Sequence, residues 1–332
     1  ATILATLLPA LILFAPKSVQ LYAPLGLLLF WAFHSGLTTQ SAIRLAVAGL
    51  LASLLSFLNL GNGTLLLLLA LYALVVIIFL FRSGKAEDMW PQPVRLIVKQ
   101  LAAFAAGAAS LWLLLWLLFG VPPWEIASVG LGQHFELVTN RRSYPWWTAW
   151  NLIDLLIFSG WPLALGFAGS VLLALKSWRT GKLRAVDLLA ATLLVFILLL
   201  NFSGSARGEV GRIWLFFMPL LAFPAARFWQ RTTPGKWQLA AIVVLQLLMV
   251  LVLGWAWRPV RAVIVVAEAP PAVEAAAETK IDARFANEPL RLAGFTLEAA
   301  TVEAGESLLL SLFWEAEGAS SRPYTVFNHL VD

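Results

Sequence analysis

The sequence predicts a polytopic α-helical membrane bundle followed by an all-β domain outside the membrane. Hydrophobic residues make up 61% of the 332 residues and charged residues 12%, against about 45–50% and about 25% in soluble domains. Apolar runs near the length of a bilayer recur along the first 257 residues. After them come an Ala/Pro/Glu stretch and then short runs of alternating apolar and polar residues. These features predict a membrane domain (1–257), a linker (258–282) and a truncated, sandwich-like β-domain (283–332).

Nine apolar segments are expected in the membrane domain. They lie near residues 2–15, 20–34, 43–60, 63–81, 97–120, 151–175, 187–203, 212–229 and 238–257. The first two are short for a full crossing, which takes about 20 residues. The fifth carries a stripe of small residues at 102–110, which lets helix backbones approach closely and therefore predicts a packing surface.

The Lys and Arg residues of the connecting loops predict the orientation in the membrane. Three alternate loops share eleven of them, which are Arg82, Lys85, Arg95, Lys99, Lys176, Arg179, Lys182, Arg184, Arg227, Arg231 and Lys236. The intervening loops hold only Arg141, Arg142, Arg207 and Arg212. Because cytoplasmic loops are enriched in Lys and Arg, Ala1 is expected in the cytoplasm. The 121–150 loop, the 204–211 loop and the C-terminal tail are expected outside.

The net charge of +5 comes from these loops. Residues 1–257 hold 17 Lys or Arg and 7 Asp or Glu, whereas residues 258–332 hold 6 and 11. No basic face with interleaved aromatic residues is present, so nucleic acid is not an expected partner. The chain has no cysteine and three scattered histidines. Thiolate chemistry is therefore excluded and no metal site is indicated, although the sequence leaves a divalent cation open.

The tail alternates apolar and polar residues over 290–298, 307–316 and 324–331, which predicts half-buried strands. The expected core consists of Phe295, Leu297, Leu308, Leu310, Leu312, Trp314, Tyr324 and Val326. A buried Trp314 is expected if the domain is a spacer. An exposed Trp314 beside Tyr324 would favour a carbohydrate-binding module.

The stretch 207–212 places Arg207, Glu209 and Arg212 between two runs of hydrocarbon side chains. Charges beside hydrocarbon are costly unless they face water, a partner or an anionic ligand. Two interpretations stay open. The three residues either pair with one another and reach for water, or bind the phosphate of a donor.

The 121–150 loop is longer than a plain connector. Its Trp146, Trp147 and Trp150 predict either an aromatic belt at the membrane surface or a platform for sugar rings, with Arg141 and Arg142 as phosphate clamps. Further active-site candidates in and after this loop are His134, Glu136, Tyr144, Asn151 and Asp154. Asn151 and Asp154 share a helix face, although Asn151 would serve equally as a helix cap and Asp154 as a first-turn charge.

The chain resembles the C-terminal two-thirds of a bacterial GT-C membrane glycosyltransferase, of the protein mannosyltransferase or aminoarabinose transferase type. The resemblance lies in the loop from Arg142 through Trp147 to Asp154, in 207–214 with Pro219, and in the β tail from Leu292 to Asp332. It implies a multi-pass protein of the bacterial plasma membrane. It also implies sugar transfer from a polyprenyl-phosphate donor to a glycan, lipid or protein acceptor at the external face, without a cofactor.

In that family the catalytic Asp lies in the first external loop, and no such loop occurs near this N-terminus. The catalytic base is therefore expected upstream of Ala1, in a longer protein of which this chain would be an inactive fragment. A flippase or transporter of lipid-linked glycans and a surface-polysaccharide polymerase or ligase are the alternatives. Transporters have inverted repeats and broken helices at mid-membrane. The sequence shows neither repeats nor mid-span charges, which favours an enzyme.

Overall fold

The computed structural model describes residues 1–15, 17–83, 94–180, 183–232, 235–256, 277–284, 289–297, 310–316 and 318. The side chains of 80–83, 94–98, 137 and 138 are not described. The chain forms two compact units, Ala1–Arg258 and Pro259–Asp332. The first is helical and the second contains a small sheet.

Seven long helices form most of the described part of the first unit. They are α3 (Tyr22–Thr38), α4 (Ala42–Leu58), α5 (Thr64–Ser83), α6 (Val94–Phe119), α9 (Trp161–Arg179), α10 (Ala185–Ser203) and α13 (Lys236–Ala256). All of them except α4 contribute to the six helical stretches that, among the described residues, are long and apolar enough to cross a membrane. The protein is therefore a multi-pass membrane protein by the length and composition of its helices.

Shorter helices connect or interrupt these spans. They are α1 (Thr2–Thr6), α2 (Pro9–Leu13), α7 (Pro123–His134), α8 (Tyr144–Ser159), α11 (Val210–Ile213) and α12 (Ala222–Thr232). Three single turns of 3₁₀-helix lie at Ser18–Leu21, Leu60–Gly63 and Met218–Leu221, and a π-helical turn lies at Phe135–Thr139.

Three of the nine predicted segments are not single helices. The 2–15 segment divides into α1 and α2 at Leu8, whose backbone is extended because the residue before a proline avoids helical geometry. The 151–175 segment divides into α8 and α9 at Gly160, which has φ of 88°. The 212–229 segment consists of α11, a turn, a 3₁₀ turn and α12. Hydropathy measures the length of an apolar run, and these three runs are apolar although the helices within them are interrupted.

Two of the breaks meet the side chain of Gln246, at the middle of α13. Its Nε2 donates to the carbonyl oxygen of Leu7 at 3.0 Å and to that of Ser159 at 2.9 Å. A side chain on Gly160 would place its Cβ 2.3 Å from the same nitrogen. Gln246 is fully buried and therefore completes backbone hydrogen bonds that a membrane interior would leave open.

The core of the bundle surrounds the irregular segment 214–221. Trp214, Phe216 and Phe217 are fully buried, and the ring of Phe217 lies edge-on to that of Phe196 in α10 at 5.2 Å. Non-helical backbone at membrane depth is tolerated where protein encloses it, and the buried aromatic rings provide that enclosure.

The small-residue stripe of α6 packs against α4, which confirms its predicted packing role. A Cβ on Gly49 would lie 2.1 Å from the Phe104 carbonyl oxygen, and one on Gly107 would lie 2.2 Å from that of Ala46. The indole nitrogen of Trp112 donates to Ser56 Oγ at 2.9 Å. The two helices therefore touch backbone to backbone along this face.

The second unit contains an antiparallel three-stranded sheet in the order β1 (Thr279–Arg284), β2 (Leu290–Leu297) and β3 (Leu310–Ala316). Two predicted strands are confirmed, whereas β1 begins inside the predicted linker. A sandwich is not shown, because the described residues form this one sheet. A bulge between Leu292 and Gly294 brings Leu292 and Phe295 to the same face, opposite Trp314 and Leu312.

The predicted burial of Trp314 is only partly right. Its side chain is half-buried, and Leu297 is exposed to 36%, so one sheet face is apolar but not fully covered by the described residues. The guanidinium group of Arg291 binds Glu315 on the other face, with Nε to Oε2 at 2.8 Å. Leu308 and the predicted strand 324–331 lie outside the described residues.

Candidate functional site

The stretch 204–212 lies against the start of α8, so the two predicted external segments do meet. The side chain of Asn151 joins them, since Nδ2 donates to the Ala206 carbonyl oxygen at 2.8 Å and Oδ1 accepts from the Gly208 amide at 3.0 Å. Asn151 is 1% exposed and lies seven residues inside α8, which begins at Tyr144. It is therefore a buried link between segments and not the helix cap that its position had suggested.

The guanidinium group of Arg207 is occupied by backbone oxygens. Its Nη1 donates to the carbonyl oxygens of Thr139 at 3.0 Å and Arg142 at 2.8 Å, and its Nε donates to that of Gly204 at 3.2 Å. Its Cζ lies 5.4 Å from the centre of the Tyr144 ring, within range of a cation–π contact. In this conformation Arg207 holds two stretches of backbone together, 139–142 and 204–207.

Arg142 in turn donates a hydrogen bond to the backbone of Arg207. Its Nη1 donates to the carbonyl oxygen of Arg207, and its Nη2 lies 3.1 Å from Glu209 Oε1. Its Cζ is 5.8 Å from the centre of the Trp147 ring. Gly208 sits between these groups with φ of 85°, and a Cβ there would lie 2.9 Å from Arg142 Nη1. Only glycine combines this backbone conformation with the space available.

Glu209 connects Arg142 to Arg212. Its carboxylate forms ion pairs with both guanidinium groups. Partial burial raises its pKa, but the hydrogen bonds and positive charges of Arg142 and Arg212 outweigh that effect and hold the pKa below its usual range. Its φ of 58° lies in the left-handed region, which is uncommon for a residue with a side chain. Strain of this kind often accompanies functional sites.

A cavity of about 510 Å³ opens beside Glu209. Its lining consists of Phe14, Lys17, Asp154, Ile157, Phe158, Glu209 and Arg212, and we call it the charged cavity. The rings of Phe14 and Phe158 lie 5.6 Å apart. Two cations and two carboxylates thus line one space beside apolar walls, which is the composition of a site for a ligand with a charged head and an apolar body.

The carboxylate of Asp154 differs from that of Glu209. It is half-buried and has no hydrogen bond or ion pair to any residue that the structure describes. Lys17 is exposed and likewise unpaired within the described ranges. A half-buried carboxylate without a partner is energetically unfavourable, and such a group in a cavity is a candidate for proton transfer or ligand contact.

The other predicted site residues lie outside the cavity. Arg141, His134 and Glu136 are exposed, and the hydroxyl of Tyr144 donates to the Phe202 carbonyl oxygen at 2.8 Å. Sequence reasoning missed Lys17, although it is the only Lys, Arg, Asp or Glu among the first 43 residues. A single charge in a long apolar stretch was the sequence signal that could have identified Lys17.

Comparisons with known proteins add no relative. No family model, no curated protein and no solved structure matches the chain. Within the described part of the chain, no three or more His, Asp or Glu side chains form a group that would hold a metal ion. The function must therefore be argued from the cavity itself.

Proposed function

We propose that the protein is a membrane glycosyltransferase of the GT-C type, and that the charged cavity binds the headgroup of a polyprenyl-phosphate sugar donor. The observation that carries this proposal is the shared lining of Lys17, Arg212 and the unpartnered Asp154. Arginine binds phosphate oxygens through a planar fork and lysine binds them as a point charge. Apolar walls at Phe14, Ile157 and Phe158 suit the first part of an isoprenoid chain.

The chemistry follows from this placement. An acceptor hydroxyl gives its proton to a carboxylate while its oxygen attacks the anomeric carbon of the sugar. The bond from that carbon to the phosphate oxygen breaks, and the polyprenyl phosphate leaves with the electron pair. Arg212 and Lys17 stabilise the charge that develops on the phosphate. Asp154 is the base that we propose within this chain. A base upstream of Ala1 stays a prediction.

The distribution of charge along the bundle supports an external site. Asp187, in the first turn of α10, pairs with Arg227 at 2.7 Å among the basic loops that are expected in the cytoplasm. The charged cavity is lined by Glu209 and Arg212, which follow the other end of α10. The connection between α4 and α5, also expected outside, contacts α7 through Leu60 and Gly130. The predicted topology and the packing are thus consistent with each other.

The test compares Asp154→Asn with Glu125→Gln in the complete protein. Glu125 is an exposed carboxylate of α7, so its variant is a matched control. A general base contributes about 100-fold or more to kcat. We therefore expect kcat of Asp154→Asn to fall about 100-fold, with donor KM and thermal stability close to those of Glu125→Gln. An unchanged kcat would show that Asp154 is not the base and that another residue takes the proton.

A flippase of lipid-linked glycans is the second candidate. Broken helices at mid-membrane are typical of transporters, and the breaks at Leu8 and Gly160 meet Gln246 at the middle of α13. The two functions differ in their product. A transferase releases polyprenyl phosphate from the donor, whereas a flippase moves an intact donor between leaflets of a liposome. Movement of intact donor without sugar transfer, given a suitable acceptor, would favour the flippase.

A further inference from the structure

The apolar surface of α6 continues onto the helix that follows it. α6 belongs to a candidate membrane span that ends at Phe119, and its last turn exposes Leu117, Leu118 and Phe119. One residue earlier, the ring of Trp116 lies edge-on to that of Trp124 in α7, with the ring centres 5.0 Å apart. The start of α7 therefore lies beside the last turn of the span, at the edge of the surface that faces lipid.

α7 is held against the bundle at three points. Trp124 contacts α6 near the start of the helix. In the middle, a Cβ on Gly130 would lie 2.7 Å from Cδ1 of Leu60, so the helix backbone rests on the connection between α4 and α5. After the π-helical turn that follows α7, the carbonyl oxygen of Thr139 accepts a hydrogen bond from Arg207. The helix therefore lies across one end of the bundle, and the same faces always point away from it.

Two stripes of exposed side chains run along α7. Residues at i, i+4, i+7 and i+11 share one side of a helix, and Phe135, which follows the last residue of α7, still has helical backbone angles. We call one set the apolar stripe and the next set the polar stripe. The apolar stripe is Trp124, Ser128, Leu131 and Phe135, and the polar stripe is Glu125, Val129, Gly132 and Glu136. Because successive residues of a helix are about 100° apart, the two stripes face different surroundings.

Ser128 is compatible with apolar surroundings although it is a polar residue. Its hydroxyl donates to the carbonyl oxygen of Glu125 at 3.0 Å, so the donor is already satisfied within the helix, and a satisfied hydroxyl costs much less to remove from water than a free one. Neither stripe contains Lys or Arg. Attraction to anionic headgroups, which many helices on membrane surfaces use, is therefore not available to α7, and only apolar area can hold it in lipid.

We propose that α7 lies in the plane of the membrane surface, with the apolar stripe among the lipid chains and the polar stripe in water. Its third side, with the half-buried Ile126, Ala127 and Gly130, faces the bundle. Helices of this kind insert about 5–10 Å into the boundary between headgroups and acyl chains, where tryptophan is favoured. The bilayer is the occupant of the apolar stripe because Trp124 continues the lipid-facing surface of α6. This inference does not depend on sugar transfer.

The test introduces single cysteines as sites for a spin label, which is possible because the 332 residues contain no cysteine. Positions 128, 129, 131, 132, 133, 135 and 136 are labelled one at a time in the complete protein in phosphatidylcholine nanodiscs. Collisions of each label are measured with molecular oxygen, which concentrates in lipid, and with an uncharged nickel chelate, which stays in water. We expect oxygen collisions to peak on the apolar stripe and nickel collisions on the polar stripe, so that the two profiles oscillate out of phase.

Leu131→Cys and Val129→Cys are the matched pair, because both side chains are apolar and their exposures are 53% and 54%. The ratio of oxygen to nickel collisions should be several-fold higher at position 131 than at position 129. This difference should persist when part of the lipid is replaced by anionic phosphatidylglycerol.

Two outcomes contradict the proposal. If the two profiles oscillate in phase, both stripes face water, and the apolar stripe is a surface for another protein. If the difference between positions 131 and 129 appears only with anionic lipid, apolar area does not hold α7 in the membrane.

Discussion

Arg207 and Arg212 are five residues apart, yet they belong to two different regions. The first region comprises 139–151 and 204–208, where hydrogen bonds to carbonyl oxygens occupy Arg207. The second is the charged cavity, where Arg212 pairs with Glu209 and lines open space. The hydrogen bonds of Arg207 to backbone oxygens are part of the fold. The guanidinium group of Arg212, which pairs with a carboxylate beside a cavity, can also bind a ligand. Two arginines of one short stretch therefore divide into a structural residue, Arg207, and a ligand-facing residue, Arg212.

The largest expected effect comes from Arg212→Ala. It removes a forked cation from the proposed phosphate position, and loss of one such stabilising group costs about 100-fold to 1,000-fold in turnover. We expect kcat/KM for the donor to fall by that amount while the unfolding temperature stays near that of the unchanged protein. Arg212→Lys should recover part of the activity, because it keeps the charge and loses the fork.

Measured donor kinetics of Arg212→Ala that match those of the unchanged protein would contradict the ligand-facing role. Arg142, Glu209 and Arg212 would then be interpreted as an ion-pair cluster without a ligand, which is close to the other interpretation of the 207–212 stretch.

Arg207→Met should show the reverse pattern. It leaves the carbonyl oxygens of Arg142 and Gly204 without their donor and that of Thr139 with only the Arg142 amide, and each unsatisfied buried acceptor costs about 1–3 kcal/mol. Because these groups are partly exposed, we expect a total loss of about 2–3 kcal/mol in the free energy of unfolding. Thermal unfolding in detergent measures it.

Arg141→Met is the matched control for Arg207→Met. Arg141 is exposed in the same region, so its replacement should leave the unfolding temperature unchanged. If Arg207→Met were as stable as Arg141→Met and selectively raised donor KM, Arg207 would belong to the ligand-facing group and the comparison would fail.

The smallest expected effect is a pH dependence at Glu209. Its pKa lies below the ordinary value of 4.5, so the folded state favours the charged form. The stabilisation is therefore complete above about pH 4.5 and is lost as the pH falls through the lowered pKa. The difference in unfolding temperature between the unchanged protein and Glu209→Gln should be constant from pH 8 to pH 5 and shrink below that range. A difference that shrank between pH 8 and pH 6 would contradict the ion-pair assignment.

The sequence predicted the helical bundle well, the sandwich-like β-domain only as a small sheet, and the continuity of the helices poorly. Hydropathy located α5, α6, α10 and α13, because apolar length alone determines whether a helix crosses a bilayer. It joined α8 to α9 across Gly160, because one glycine barely changes an average over many apolar residues. In the sheet, alternation located β2 and β3, whereas β1 begins in a stretch whose composition indicated a linker.

The candidate site was predicted by residue type but not by partner. The charges at 207–212 and Asp154 were identified, and the structure brings Asp154, Glu209 and Arg212 to one cavity. Lys17 was missed because more than 130 residues separate it from Asp154. The hydrogen bonds of Arg207 to carbonyl oxygens could not be predicted either, because every residue carries the same backbone carbonyl group.

The hydrogen bond between Gln246 and Leu7 has a consequence for biosynthesis. These two residues are 239 positions apart, so α1 and α2 emerge from the ribosome long before α13 does. At about 5–20 residues per second, the delay is about 12–48 s. During that interval the Leu7 carbonyl lacks its final donor. We therefore expect α1 and α2 to stay in contact with water, lipid headgroups or insertion machinery until α13 has been synthesised and Gln246 donates to the Leu7 carbonyl oxygen.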